Sequence, residues 1–273
     1  MSLIQAIILG IIQGLTEFLP ISSSAHLVLI PYIFNWNLST NGAFIFDVLV
    51  QIGTLFAVIF YFRKDLVAIN HSFFQGLAKR EPFKDPNSRM AWLIILATLP
   101  AVIFGLLFKD MVESAFSSPL LVALMLLFTA LLMTIAELLG KKLRTSEQIN
   151  YIDAIIIGLL QAAAIFPGIS RSGATISGGL LRHINRKSAA RFSFLLSIPI
   201  MAAAGVLALI DLIQLPYLFS FLPAMAVGFI TAAVVGYLSI YWLMRFLNKR
   251  PLYYFAGYCS MFAIITMVIY YVR

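Results

Sequence analysis

Long apolar stretches separated by short polar segments dominate the chain. Six of them, at 44–62, 90–108, 119–140, 190–212, 218–245 and 253–272, are near the length that crosses about 30 Å of hydrocarbon as a helix. Two further stretches are interrupted. Residues 3–19 run apolar into Pro20 and the serines Ser22, Ser23 and Ser24, and a second apolar piece follows over 27–34. Residues 151–166 run into Pro167, Gly168, Ser170, Arg171, Ser172 and Gly173 before another short piece. Pro and Gly at such points stop a helix, so each interrupted stretch predicts two half-helices around a polar break.

The two interrupted stretches match each other without gaps at an offset of 148 residues. Ala6, Ile7, Ile8, Gly10, Gln13, Phe18, Ile21, Ser22 and Ser24 recur as Ala154, Ile155, Ile156, Gly158, Gln161, Phe166, Ile169, Ser170 and Ser172. The register persists to Phe44 and Phe46, which match Phe192 and Phe194. Apolar matches arise by chance, but Gly, Gln and two Ser in one register rarely do. Residues 3–140 and 151–272 therefore read as internal repeats, an architecture common among transporters. Charge orients them. If each interrupted stretch is a hairpin that returns to the side it entered, loops 63–89, 141–150, 182–191 and 245–250 share one face and hold 16 of the 19 Lys and Arg. If the stretches crossed fully, those basic residues would split nine against seven. Positive-inside bias favours the hairpins. Three crossings separate the two, so the second is inverted and both termini face outside. The expected fold is an all-α polytopic membrane protein, one integral membrane domain over 1–273. It has six membrane-crossing helices and two re-entrant helical hairpins in an inverted-topology repeat.

Composition agrees. Hydrophobic residues are 62% of 273, charged residues 11%, and mean hydropathy is +0.97, against roughly a quarter charged in soluble domains. The single Cys259 excludes an intramolecular disulfide framework. The opening MSLIQAIILG has no basic n-region and is expected to be retained. The net charge of +8 flanks the apolar spans and points to membrane orientation, with no nucleic-acid partner. Loop 63–89 is too short for a domain and predicts an interfacial amphipathic helix plus a turn, with His71 a surface residue.

Ionisable residues at membrane depth are costly and usually functional, and the breaks hold three: Glu17, His26 and Arg171. Gln13 and Glu17 are four apart and share a helix face, and Ser23 and His26, three apart, share another. Ser22–Ser24 open a half-helix, where free N–H groups attract anions. Ser170, Ser172 and Gly173 repeat that arrangement, with Thr175 adding a hydroxyl. Arg171 stands where the first break has Ser23 and supplies a guanidinium suited to phosphate. Glu17 beside an anion must be protonated, paired with a cation, or engaged in acid–base work. His26 could be base, acid or nucleophile. Asp47 and Gln51, four apart near the start of the 44–62 stretch, bring Gln51 within reach of the same cavity.

At these residues the sequence resembles the undecaprenyl-diphosphate phosphatase family, the bacitracin-resistance proteins. QGLTEFLPISSSAH (13–26) and PGISRSGAT (167–175) are similar to its two signature motifs, and FDVLVQIGT (46–54) to a further segment. The resemblance implies hydrolysis of the terminal phosphate of the C55 prenyl diphosphate carrier, recycling it for peptidoglycan and other wall polymers. It implies residence in the bacterial cytoplasmic (inner) membrane, a site facing the periplasm or exterior, and dependence on Mg²⁺ or Ca²⁺. Catalytic roles are implied for Glu17, Ser23, His26 and Arg171. Substrate binding falls to Gln13, Ser22, Ser24, Gln51, Ser170, Ser172, Gly173 and Thr175. Position 13 is Gln where some members have an acid, so Glu17 is the chain's own candidate metal ligand. The expected partners are the polyprenyl diphosphate, membrane lipid and a second copy of the chain in a homodimer.

The expected chemistry is in-line phosphoryl transfer. Ser23, with His26 adjacent, or His26 itself attacks phosphorus, or His26 activates water. The rival is a secondary transporter or lipid-phosphate flippase built on the same inverted repeats.

Overall fold

Short N-capping signals start the helices where the apolar runs begin. In the computed structural model, which describes residues 2–36, 40–213 and 218–272, Ser2 and Gln5 form a reciprocal capping box that opens α1, Leu3–Thr16. The first break follows, then α2, Ser23–Ile33, and α3, Thr40–Tyr61. Helix α4, Arg63–Ala78, leads through turns to α5, Pro86–Leu107, which Asp85 caps with Pro86 at its first position. After the short α6, Lys109–Ala115, Ser118 and Pro119 start α7, Pro119–Leu139, in the same way. An Asn150–Asp153 capping box opens α8, Tyr151–Ala163. The second break leads to α9, Arg171–Leu181, and then to α10, Arg186–Ile213, α11, Leu218–Phe246, and α12, Tyr253–Val272. No strand occurs among the described residues.

Five of the described helical segments are long and apolar enough to cross a membrane: Pro86–Leu107, Pro119–Leu139, Arg186–Val206, Leu222–Phe246 and Tyr253–Val272. The sixth expected stretch, 44–62, falls on α3, where several side chains before Leu49, Asp47 among them, lie outside the described residues. The 63–89 segment forms α4 and a turn, and His71 is exposed.

The broken helices pack against neighbours through corresponding glycines. Helix α1 lies along α11, and α8 lies along α5. A methyl group at Gly10 would come within 2.8 Å of the Gly228 carbonyl oxygen, and one at Gly158 within 2.5 Å of that of Ala97. Gly10 and Gly158 are 148 residues apart, so the same repeat position permits the same backbone approach. Helices α7 and α12 pack together, and α9 is enclosed by α7, α8 and α10.

The four basic loops gather at one end of the bundle. Arg191 pairs with Asp65, and Arg89 donates to the Glu147 carbonyl. Arg144 and Arg182 clasp the buried Asp153 carboxylate at 2.6 and 2.7 Å. Arg186 and Lys142 do the same for the buried Glu137, each at 2.6 Å, and the Leu252 amide adds a bond of 2.9 Å. Charges removed from solvent need such partners. These pairs tie α4, α5, α7, α8, α10 and the entrance to α12 to one another at that end.

Candidate active site

The two breaks meet, and the way each is built follows from the needs of a helix terminus inside an apolar interior. The first N–H groups of a helix lack intrahelical partners. Ser22 caps α2 by accepting from the Ala25 amide at 3.3 Å, and Ser170 caps α9 by accepting from the Gly173 amide at 3.0 Å. Each capping hydroxyl also contacts the serine two residues on, Ser22 with Ser24 at 3.2 Å and Ser170 with Ser172 at 3.1 Å. The second serine of each pair then crosses to the other break. Ser24 Oγ accepts from the Gly168 amide at 3.3 Å, and Ser172 Oγ donates to the Leu19 carbonyl at 3.1 Å. Gly168 sits at φ +98°, and a Cβ there would lie 2.3 Å from the Val122 carbonyl oxygen, so only glycine fits this turn.

The helices behind the breaks brace them. Thr129 Oγ1, on α7, donates to the Gly168 carbonyl and accepts from the Ser170 amide at 3.0 Å. On α12, Cys259 Sγ approaches the Pro20 carbonyl at 3.7 Å. Thr175 donates to the Arg171 carbonyl at 2.7 Å and meets Ser193 of α10 at 2.6 Å. Among the residues expected to bind substrate, Ser22, Ser24, Ser170, Ser172, Gly173 and Thr175 therefore have bonds that hold the breaks together.

Between the breaks stands one carboxylate with three side-chain donors. Arg171 Nη2 donates to Glu17 Oε1 at 2.7 Å, while Ser23 Oγ donates to Glu17 Oε2 at 2.6 Å. Gln13 Nε2 donates to the same Oε2 at 2.8 Å and lies 3.4 Å from Thr54 Oγ1. Thr54 in turn donates to the Gln51 carbonyl at 2.8 Å, which places Gln51 one turn from the cluster on α3. The Glu17 side chain is only 3% exposed, whereas Arg171 is 17% exposed and Ser23 is half-buried. The acid lies at the bottom of the cluster, with the hydroxyl and the guanidinium at its opening. Ser23 and Arg171 are 148 residues apart, each the first residue of its half-helix.

His26 is on α2 with Ser23, but neither of its ring hydrogen bonds goes to Ser23. Nδ1 lies 2.7 Å from the Ser22 carbonyl oxygen, and Nε2 lies 2.7 Å from the Tyr258 hydroxyl on α12. Phe262 stacks on the imidazole with ring centroids 4.7 Å apart. The hydroxyl of Ser23 is thus partnered by a carboxylate.

Among the described residues no group of three His, Cys, Asp or Glu could hold a metal ion. Among the described side chains Glu17 is the one acid in the cluster, and Gln13 turns its amide N–H toward it, so these donors alone do not amount to a resident cation site. Sequence reasoning missed Thr54, Thr129, Tyr258 and Glu137. None of the first three stands out within its apolar helix, and only spatial neighbours reveal them.

A helical bundle with five segments long and apolar enough to cross a membrane, joining an acid, a hydroxyl and a guanidinium between its two breaks, defines a multi-pass membrane protein with a polar cluster. Residues 6–265 match the family described as Bacitracin resistance protein BacA, and the chain belongs to that family. The chain is 42% identical to the undecaprenyl-diphosphatase of Moorella thermoacetica over 273 residues, covering 100% of both proteins. It is 46% identical to the proteins of the same name from Chlorobium luteolum, over 94% of this chain and 93% of the relative, and Chlorobium phaeobacteroides, over 92% and 90%.

Proposed function

We propose that this chain hydrolyses undecaprenyl diphosphate to undecaprenyl phosphate and inorganic phosphate, recycling the carrier for cell-wall polymer synthesis. The observation that carries the reading is the Glu17 carboxylate held between the Ser23 hydroxyl at 2.6 Å and the Arg171 guanidinium at 2.7 Å. Family membership and the undecaprenyl-diphosphatase relatives support the same substrate.

In the proposed reaction Ser23 Oγ attacks the terminal phosphorus and passes its proton to Glu17 Oε2. The bond from that phosphorus to the bridging oxygen breaks, and the lipid monophosphate departs with the bonding pair. Arg171 exchanges its carboxylate partner for phosphate oxygens and stabilises the charge developing on them. Water then attacks the phosphoserine, inorganic phosphate leaves, the Ser23 hydroxyl re-forms, and Glu17 returns its proton to solvent. Among the described side chains Glu17 is the one carboxylate of the cluster, so the divalent cation, Mg²⁺ or Ca²⁺, is assigned to the substrate's diphosphate.

The proposed topology is six crossings and two re-entrant hairpins, with repeats at 3–140 and 151–272. Its support is the shared break geometry, the matched Gly10 and Gly158 contacts, and the gathering of the basic loops at one end. Positive-inside bias assigns that end to the cytoplasm of the inner membrane, with both termini and the site opening on the other side.

The test is phosphate release from a prenyl diphosphate by purified protein. Activity is expected with Mg²⁺ or Ca²⁺ and is expected to vanish on chelation. A wild type that releases no phosphate with either cation present refutes the phosphatase reading.

A further inference from the structure

We infer that Tyr258 and His26 form a brace that positions Ser23 through the carbonyl of Ser22, with His26 acting as a hydrogen-bond donor and not as the proton acceptor for Ser23. The inference rests on the proposed reaction centre at Ser23 and Glu17. A carbonyl oxygen only accepts, so the 2.7 Å contact fixes the proton of His26 on Nδ1. Nε2 is then the acceptor for the Tyr258 hydroxyl, 2.7 Å away. Both ring nitrogens are committed, and neither faces the Ser23 hydroxyl, which donates to Glu17.

The carbonyl that His26 holds belongs to an unusual residue. Ser22 has φ +68° and ψ 98°, a left-handed conformation that costs a non-glycine residue energy. Such a conformation persists only where its surroundings over-determine it. The Ser22 carbonyl belongs to the peptide unit that carries the Ser23 amide nitrogen, so fixing it fixes the start of α2 and the direction of the Ser23 side chain. It accepts twice, from His26 Nδ1 and from the His26 amide at 3.3 Å. The imidazole is itself fixed by the Tyr258 hydroxyl and by stacking on Phe262 with ring planes 13° apart. His26 is 2% exposed and Tyr258 37%, so Tyr258 reaches in from the surface of α12 to close the chain of bonds. The residue equivalent to His26 in the second break is Ala174. There Ser170 has an ordinary φ of −70°, and no carbonyl needs holding.

Four variants test this by phosphate release, with thermal unfolding as the check on folding. Asn places its side-chain N–H where His has Nδ1–H but cannot titrate. His26→Asn should retain at least about tenfold more activity than His26→Ala, as expected when only the donor to Ser22 matters. Tyr258→Phe keeps the ring and removes the hydroxyl; it should lower kcat about tenfold with KM unchanged, and should cause no further loss when added to His26→Ala. The inference is overturned if His26→Asn, though folded, is as inactive as His26→Ala. It is equally overturned if Tyr258→Phe has the wild-type kcat, or if it lowers activity by the same factor in the His26→Ala background. Ser23→Ala, run alongside, separates the levels. Full activity there removes the Ser23-centred reaction itself, whereas its inactivity with failure of the Asn rescue removes only the brace.

Discussion

The two breaks are built on the same bonds and carry different chemistry. In each, a serine caps the second half-helix, contacts the serine two residues on, and that serine bonds to the opposite break. A side chain from a neighbouring span meets the break carbonyl in both, Cys259 at Pro20 and Thr129 at Gly168. The ionisable residues fall at three positions of the register, none of them shared: Glu17 against Ile165, Ser23 against Arg171, and His26 against Ala174. What the breaks share holds irregular backbone together where no water can satisfy it. Of what they do not share, Glu17, Ser23 and Arg171 meet in the cluster with the acid at its base. A symmetric carrier would need matching halves, whereas a reaction with an attacking group on one side and a charge acceptor on the other needs unlike ones.

Several changes would break or sharpen this contrast. The largest effect is expected for Arg171→Ser, which gives the second break the first break's residue at that position. A hydroxyl cannot replace a guanidinium against a diphosphate, so kcat/KM should fall at least about 10³-fold while the protein stays folded. Next is Glu137→Ala, at the ionic end and away from the breaks. It leaves Arg186 and Lys142 without their shared partner and should lower stability by about 3 kcal/mol in denaturation, with the remaining folded protein active. Gly10→Ala and Gly158→Ala should each cost about 1–3 kcal/mol by overpacking, the second more because its contact is closer. Ser24→Ala and Ser172→Ala should be smallest and nearly equal, about 1 kcal/mol each in thermal unfolding. Unequal losses there would break the equivalence of the shared bonds.

Much of this was legible in the sequence because polar residues in an apolar run are conspicuous. Pro20, Ser22–Ser24, Pro167 and Arg171 mark both breaks, and the 148-residue register pairs Ser23 with Arg171. The meeting of Gln13, Glu17, Ser23 and Arg171 follows from that pattern. The register does not extend to the braces: Thr129 and Cys259 are 130 residues apart, and an isolated Thr or Cys in a membrane helix carries no signal. The sequence suggests substrate contacts for Ser22, Ser24, Ser170 and Ser172, and the structure adds bonds it does not show, because helix termini in an apolar interior need their own amides satisfied. Helical spacing put His26 beside Ser23, but spacing could not show that a left-handed Ser22 would turn its carbonyl to the imidazole. Glu137 lies at the end of an apolar helix, and only the approach of Arg186, Lys142 and Leu252 explains its burial.

The most direct test of unlike breaks sharing one reaction is acid quench of a single turnover with prenyl diphosphate labelled in the terminal phosphate, followed by peptide mapping. The account predicts acid-stable label on Ser23, and none in Ser23→Ala. Acid-labile label on His26, or inversion of configuration at the transferred phosphorus with no labelled enzyme, would contradict it.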